Sequence, residues 1–96
     1  MSSGDLTRYV VTVKIHEASL TELNELNNAF SQAKFLLTLT DEEGNTHDLG
    51  PMTFGLISPL DSNDVKALAS SLAEGVTDKA IAIEVDTWEA WHKKEH

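Results

Sequence analysis

The sequence predicts an α+β domain, and three observations carry that expectation. Strand-like segments, apolar at every second residue, and helix-like segments, apolar at three- and four-residue spacing, follow one another as strand, helix, strand, strand, helix, strand. All six fit inside 96 residues, room for one domain around one core. The two middle strands are divided by Asp41-Glu42-Glu43-Gly44-Asn45, a run of turn-forming residues. With right-handed, interleaved crossovers this order builds a ferredoxin-like βαββαβ sandwich. Its antiparallel sheet runs 4-1-3-2, with both helices on one face. The domain is expected over residues 8–86, after a loose tail at 1–7 and before a short helical tail at 87–96.

Each element has a local cause. From Arg8 to His16 the residues Tyr9, Val11, Val13 and Ile15 point one way and Thr12, Lys14 and His16 the other, a half-buried strand. Ser19-Leu20-Thr21-Glu22 is a capping box that starts a helix, and Leu20, Leu23, Leu26, Phe30 and Ala33 form its apolar stripe. Phe35, Leu37 and Leu39 alternate in the second strand. The chain returns through His47, Asp48 and Leu49, meets a bulge or kink at Gly50-Pro51, and resumes at Met52, Phe54 and Leu56 as one third strand. Asp61 caps a second helix, whose buried stripe is Val65, Leu68, Ala69, Leu72 and Ala73, with Gly75 as its stop. Ile81, Ile83 and Val85 form the last strand, and Asp86-Thr87 opens the tail helix. The sheet face away from the helices carries Val10, Thr12, Lys14, Leu36, Thr38, Thr53 and Ile57. This mixed face is either a dimer surface or ground covered by the Trp-bearing tail.

Composition narrows the function. The formal charge is −9, from 16 acids against 7 bases, and Arg8 is the sole arginine. A general nucleic-acid binder has the opposite balance, because phosphate contacts need Lys and Arg. Acidity favours solubility or a basic protein partner. No cysteine is present, which removes disulfides and thiolate metal sites and permits a cytoplasmic home. No apolar run reaches membrane-helix length, so no membrane insertion is expected. A Gly-rich phosphate loop, an HExxH pair and a nucleophile elbow are all missing, and no cofactor is expected.

Two histidines offer chemistry. His16 closes the first strand and His47 opens the third, which are neighbours in the predicted order, so both imidazoles are expected at one end of the sheet. Such a pair can cleave RNA, His16 taking the 2′-hydroxyl proton and His47 protonating the leaving oxygen. The alternative is two exposed loop histidines. His16, His47 and Asp48 also suit zinc or manganese, but their spacing matches no metal motif, and no metal is assigned. Trp88 and Trp91 share one side of the tail helix. They either anchor a partner, stack on a base, or fold back onto the sheet or a dimer interface.

The residues Arg8-Tyr9-Val10-Val11, Lys34-Phe35, Asp41-Glu42-Glu43-Gly44, Phe54 and Ser58-Pro59-Leu60, followed by an aromatic-rich final helix, resemble the GhoS family, antitoxins of type V toxin–antitoxin systems. The resemblance spans residues 9–93. It implies a ferredoxin-like endoribonuclease, related to the small nuclease-fold proteins of CRISPR spacer acquisition, that cleaves the messenger RNA of a membrane-lytic toxin. Two family charges differ here: the family's helix-one arginine falls at Asn27, and its acidic residue near the end of the first strand falls at about Lys14. The expectation is a cytoplasmic homodimer with His16 and His47 as catalytic pair, Arg8, Lys14 and Lys34 as RNA contacts, and Trp88 and Trp91 as partner contacts. The other reading is a non-catalytic acidic module that binds a basic protein, for instance an inhibitor encoded by a phage or mobile element.

Overall fold

The computed structural model describes residues 6–41, 43–49 and 52–94. Along the chain lie β1 (Thr7–Ile15), α1 (Leu20–Gln32), β2 (Thr38–Thr40), β3 (Thr46–Asp48), β4 (Thr53–Ser58), α2 (Ser62–Glu74), β5 (Ile81–Thr87) and α3 (Trp88–Lys94). The α+β class is as expected, with a short C-terminal helix. Among the described residues, no helix is long and apolar enough to cross a membrane.

β1 is the middle strand of an antiparallel three-stranded sheet ordered β4-β1-β5. Thr7 faces Ser58 and Thr12 faces Thr53 on one side, while Tyr9 faces Thr87 and Ile15 faces Ile81 on the other. A strand with neighbours on both edges has its register set by which residues it must bury. Tyr9, Val11, Val13 and Ile15 all enter one core with Leu26 and Phe30 of α1 and Val65, Ala69 and Ala73 of α2. Phe30 stacks on Phe54 of β4 with ring centroids 4.4 Å apart and meets Phe35 edge-on at 4.8 Å. Both helices therefore lie on one face.

The helices start where their sequences say. Ser19 caps α1 with the full capping box, Asp61 accepts from the Asp64 amide at the head of α2, and Thr87 accepts from Ala90 N–H at the head of α3. In α3 the cap is thus Thr87 rather than Asp86. Gly75 ends α2 with ordinary helical φ, whereas Gly44 in the hairpin turn stands at φ +90 and uses glycine's freedom.

The main sheet, β5-β1-β4, matches the 4-1-3 part of the expected order, while the expected second strand meets β4 through a bridge and not a full ladder. β2 and β3 make a separate two-stranded sheet, and a bridge between Leu36 and Gly55 links the segment before β2 to β4. The predicted third strand divides into β3 and β4, and Met52, just before β4, sits at φ +58. A residue in the left-handed region turns the chain out of a ladder. The Gly50-Pro51 kink lies outside the described residues, as do the first five residues of the tail.

The detached hairpin packs on part of the second sheet face. Val10, Leu39, Leu49 and Trp88 form a second buried cluster, with Trp91 packed against it. Leu39 presses so close to Gly55 that a Cβ there would lie 2.8 Å from Leu39 Cγ. Glycine at 55 is thus a condition for the hairpin to lie flat on β4. The Trp-bearing tail covers part of this face, at Val10, while Leu36 and Ile57 stay exposed.

Glu22 ties the head of α1 to the α2–β5 loop. Its carboxylate receives Lys79 Nζ at 2.7 Å, the Ser19 amide at 2.9 Å and the Thr77 hydroxyl. Those donors, Lys79 foremost, hold the Glu22 carboxyl down at about 2 against an ordinary 4.5. A carboxyl whose pKa is lowered by folding stabilises the fold above its unfolded pKa, and the contribution is lost as pH falls through the folded one. Acidification from pH 4.5 towards 2 is therefore expected to lower Tm. Glu22→Gln should melt below the wild type at pH 7 and lose less on acidification. Equal melting of the two proteins at pH 7 and equal losses in acid would show that Glu22 contributes nothing.

Candidate active site between the hairpin and the C-terminal helix

Arg8 lies near the start of β1 on the Val10 face, under the hairpin. Its Nη1 donates to the Thr40 carbonyl at 2.8 Å, and its guanidinium carbon stands 5.9 Å from the Trp88 ring centre. That position suits a cation–π contact. Trp88 begins α3, and the turn of the β2–β3 hairpin rises beside it. Between them opens a groove of about 450 Å³ lined by Arg8, Asp41, Glu43, Trp88, Glu89, His92 and Lys93.

Asp41 organises the turn. Its Oδ1 accepts the Glu43 and Asn45 amides, each at 2.9 Å, which leaves Oδ2 to meet His47 Nε2 at 2.8 Å. The His47 hydrogen bond, first, and the two amides hold the Asp41 carboxyl at about 2 against an ordinary 3.8. The His47 ring lies 5.4 Å from Trp88 and meets His92 edge-on at 5.2 Å. His92 stacks on Trp88 at 4.8 Å. The result is a carboxylate–imidazole pair braced by aromatic rings next to the arginine. Imidazole exchanges protons near neutrality, and a carboxylate on one ring nitrogen orients the other. Among the described residues, no group of three or more His, Asp and Glu side chains is placed to hold a metal ion.

His16 is not part of this assembly. It follows Ile15 at the far end of β1, with its side chain 85% exposed and its nearest charged partner Glu17 at 3.6 Å. Eight strand steps separate Arg8 from His16, about 26 Å at ~3.3 Å per residue. The expected juxtaposition of His16 and His47 is corrected accordingly. His47 sits on the hairpin, which folds over the Arg8 end of β1, not on a strand paired with the His16 end.

Of the other expected site residues, Lys14 is on the same sheet face and pairs with Glu84 at 2.9 Å. Lys34 is exposed in the turn after α1, at φ +72. Trp88 is 5% exposed and packs in the chain's own second core, the fold-back expected as one of its fates. Trp91 stacks on it at 5.8 Å and stays half-buried.

Two members of the site are not among the expected site residues. Asp41 passed as turn chemistry, although a hairpin pairing Thr40 with Thr46 brings Asp41 and His47 diagonally together. His92 lies four residues after Trp88 on α3, and that spacing was the available signal of a shared side.

A small α+β domain with an imidazole–carboxylate pair beside a groove that holds an arginine belongs to the class in which proton transfer next to a phosphate is feasible chemistry. Comparison with known proteins makes the membership specific. The family described as "Endoribonuclease GhoS" matches residues 1–94, and the chain belongs to that family. It is also similar to the proteins named "Uncharacterized protein YdiZ" of Escherichia coli K12 and of Escherichia coli O157:H7. Each is 52% identical over 92 residues, covering 96% of this chain and 96% of the relative.

Proposed function

We propose that the protein is an endoribonuclease that works as an antitoxin by cutting the messenger RNA of a toxin, and that RNA enters the groove between hairpin and α3. The observation that carries the site is the Asp41–His47 pair, whose Asp41 lines that groove together with Arg8, within a chain of the GhoS family. His47 serves proton transfer and Arg8 contacts phosphate. Lys14 and Lys34 are more distant phosphate contacts; the exposed Lys14–Glu84 pair is of the kind that contributes little and exchanges readily. His16, beyond the far end of β1, lies outside this chemistry. The family's helix-one arginine corresponds to the exposed Asn27 on the opposite side of the sheet, so this chain draws on different side chains.

A ferredoxin-like ancestry is supported by the β4-β1-β5 core with the hairpin attached to β4 at Leu36–Gly55. In this reading the protein acts in the cytoplasm as a homodimer, for which β5, an outer strand of the three, offers an edge.

The test is incubation with single-stranded and structured RNA, with and without EDTA. Wild-type protein should cut RNA. His47→Ala should lower the rate by about 10²–10⁴, the range for a general acid or base, while His16→Ala should cut at the wild-type rate. Equal rates for all three proteins would remove His47 from the chemistry. The formal charge of −9 favours a second reading, an acidic module for a basic protein. Uncut RNA together with salt-sensitive capture of a purified basic partner would establish that one instead.

A further inference from the structure

We infer that Asp41 is a positioning residue that dictates which nitrogen of His47 accepts the substrate proton: Nε2 carries hydrogen and Nδ1 is the base. The inference rests on the RNA-cleavage reading above and deepens it. Asp41 Oδ2 and His47 Nε2 are 2.8 Å apart. An ionised carboxylate can only accept a hydrogen bond, so the proton between them belongs to Nε2. In a neutral imidazole the lone pair is then on Nδ1, the nitrogen Asp41 does not hold. His47 keeps 30% of its side chain exposed to solvent.

The surroundings hold this arrangement in place. The two amides of the turn fasten Asp41 Oδ1, so the carboxylate cannot swing away from His47. Trp88 and His92 of α3 brace the ring at 5.4 and 5.2 Å. Asp41 is the charged partner of the ring, and the adjoining groove is lined by the charged side chains of Asp41, Glu43, Arg8, Glu89 and Lys93. When His47 takes a proton, the adjacent Asp41 carboxylate offsets the new positive charge, the role an aspartate fills beside a catalytic histidine.

The reaction step balances without a further reagent. The 2′-hydroxyl proton moves to Nδ1 and the 2′-oxygen forms a bond to phosphorus. The bond from phosphorus to the 5′-oxygen breaks, and that oxygen takes a proton from water. The products are a 2′,3′-cyclic phosphate and a 5′-hydroxyl, and His47 returns its proton to solvent.

Asp41→Asn separates positioning from architecture. Its Oδ1 still accepts the Glu43 and Asn45 amides, which disfavours the flipped amide because two donors would then lose their acceptor. Its NH₂ therefore faces Nε2 and donates, forcing the imidazole proton onto Nδ1. Long-range proton–nitrogen NMR of the full ¹⁵N-labelled chain at a pH where the ring is neutral should show His47 as Nε2–H in the wild type and Nδ1–H in D41N. With single-stranded RNA as substrate, D41N should lose at least about 100-fold in kcat with little change in KM and keep the wild-type amide spectrum.

A wild-type ring in the Nδ1–H form overturns the inference, and that measurement needs no variant, so a D41N chain that fails to fold does not shield it. A switched tautomer with undiminished cleavage overturns it as well, and leaves the endoribonuclease reading standing. A wild-type Nε2–H ring in a protein that leaves every RNA intact overturns the cleavage reading, and with it the base assignment.

Discussion

Trp88→Ala is expected to cost about 3–5 kcal/mol of stability, the usual range for deleting a buried large aromatic. Trp88 is the largest buried member of the second core, which it forms with Val10, Leu39 and Leu49. Its ring stacks with Trp91 and His92 and lies near His47 and Arg8. No polar network replaces it when it goes. Among the described residues the hairpin meets the main sheet through the Leu36–Gly55 bridge and the Arg8–Thr40 hydrogen bond, so its position depends largely on this cluster. The loss should be regional. Hydrogen exchange should accelerate across 36–49 and 88–94, while amides of β1 and α2 remain protected by the first core. The groove should vanish with the layer that forms it, and RNA cleavage should fall with it. Wild-type exchange in the hairpin of a Trp88→Ala protein would show that the second core does not hold that layer.

Phe30→Ala is expected to cost a similar 3–5 kcal/mol, with a different signature. Phe30 is fully buried between Phe54 of β4 and Phe35 after α1. Each aromatic pair adds about 0.5–1.5 kcal/mol beyond the area it buries. The ring links α1 to the sheet, and the carbonyl of the same residue accepts the Phe35 amide that ends the helix. Against a total of about 5–15 kcal/mol for a domain, that loss approaches global unfolding. Tm should drop by more than about 10 °C, since each kcal/mol moves a domain of this size by about 4–8 °C. Exchange should accelerate everywhere at once, β1 and α2 included. A Phe30→Ala protein melting within a few degrees of wild type would contradict the packing described for α1.

The contrast between these substitutions marks how far the sequence could be read. Tyr9, Val11, Val13 and Ile15 alternate because one face of β1 is buried by helices, and period-two patterning records that burial directly. Leu26, Phe30, Val65, Ala69 and Ala73 recur at helical spacing for the same reason, and all five are buried. Ser19 with Glu22, and Asp61 with Asp64, are contacts between near neighbours, legible without any tertiary knowledge. The second core left a weaker trace. Its members Val10, Leu39, Leu49 and Trp88 come from four separate segments, one residue from each. A single apolar residue per segment makes no period. A strand resuming after Gly50-Pro51 reads as one kinked strand as readily as two.

The candidate site was legible in the same uneven way. His47 and Arg8 stood out by residue type, and both are in the groove region. His16 stood out equally and lies at the other end of the sheet. Residue type announces chemistry, but only packing decides which side chains meet.

What the chain determined locally is the set of elements, their caps, the face of β1 that helices cover, and a family likeness that comparison with known proteins upheld. Those follow from contacts a few residues apart or from burial repeated along one segment. Only the tertiary structure decided that the hairpin leaves the main sheet, that Trp88 turns inward, and that Asp41 rather than a second histidine accompanies His47. Each depends on where one segment settles upon another, a balance among side chains up to about eighty positions apart, from Arg8 to Trp88, which no local spacing encodes.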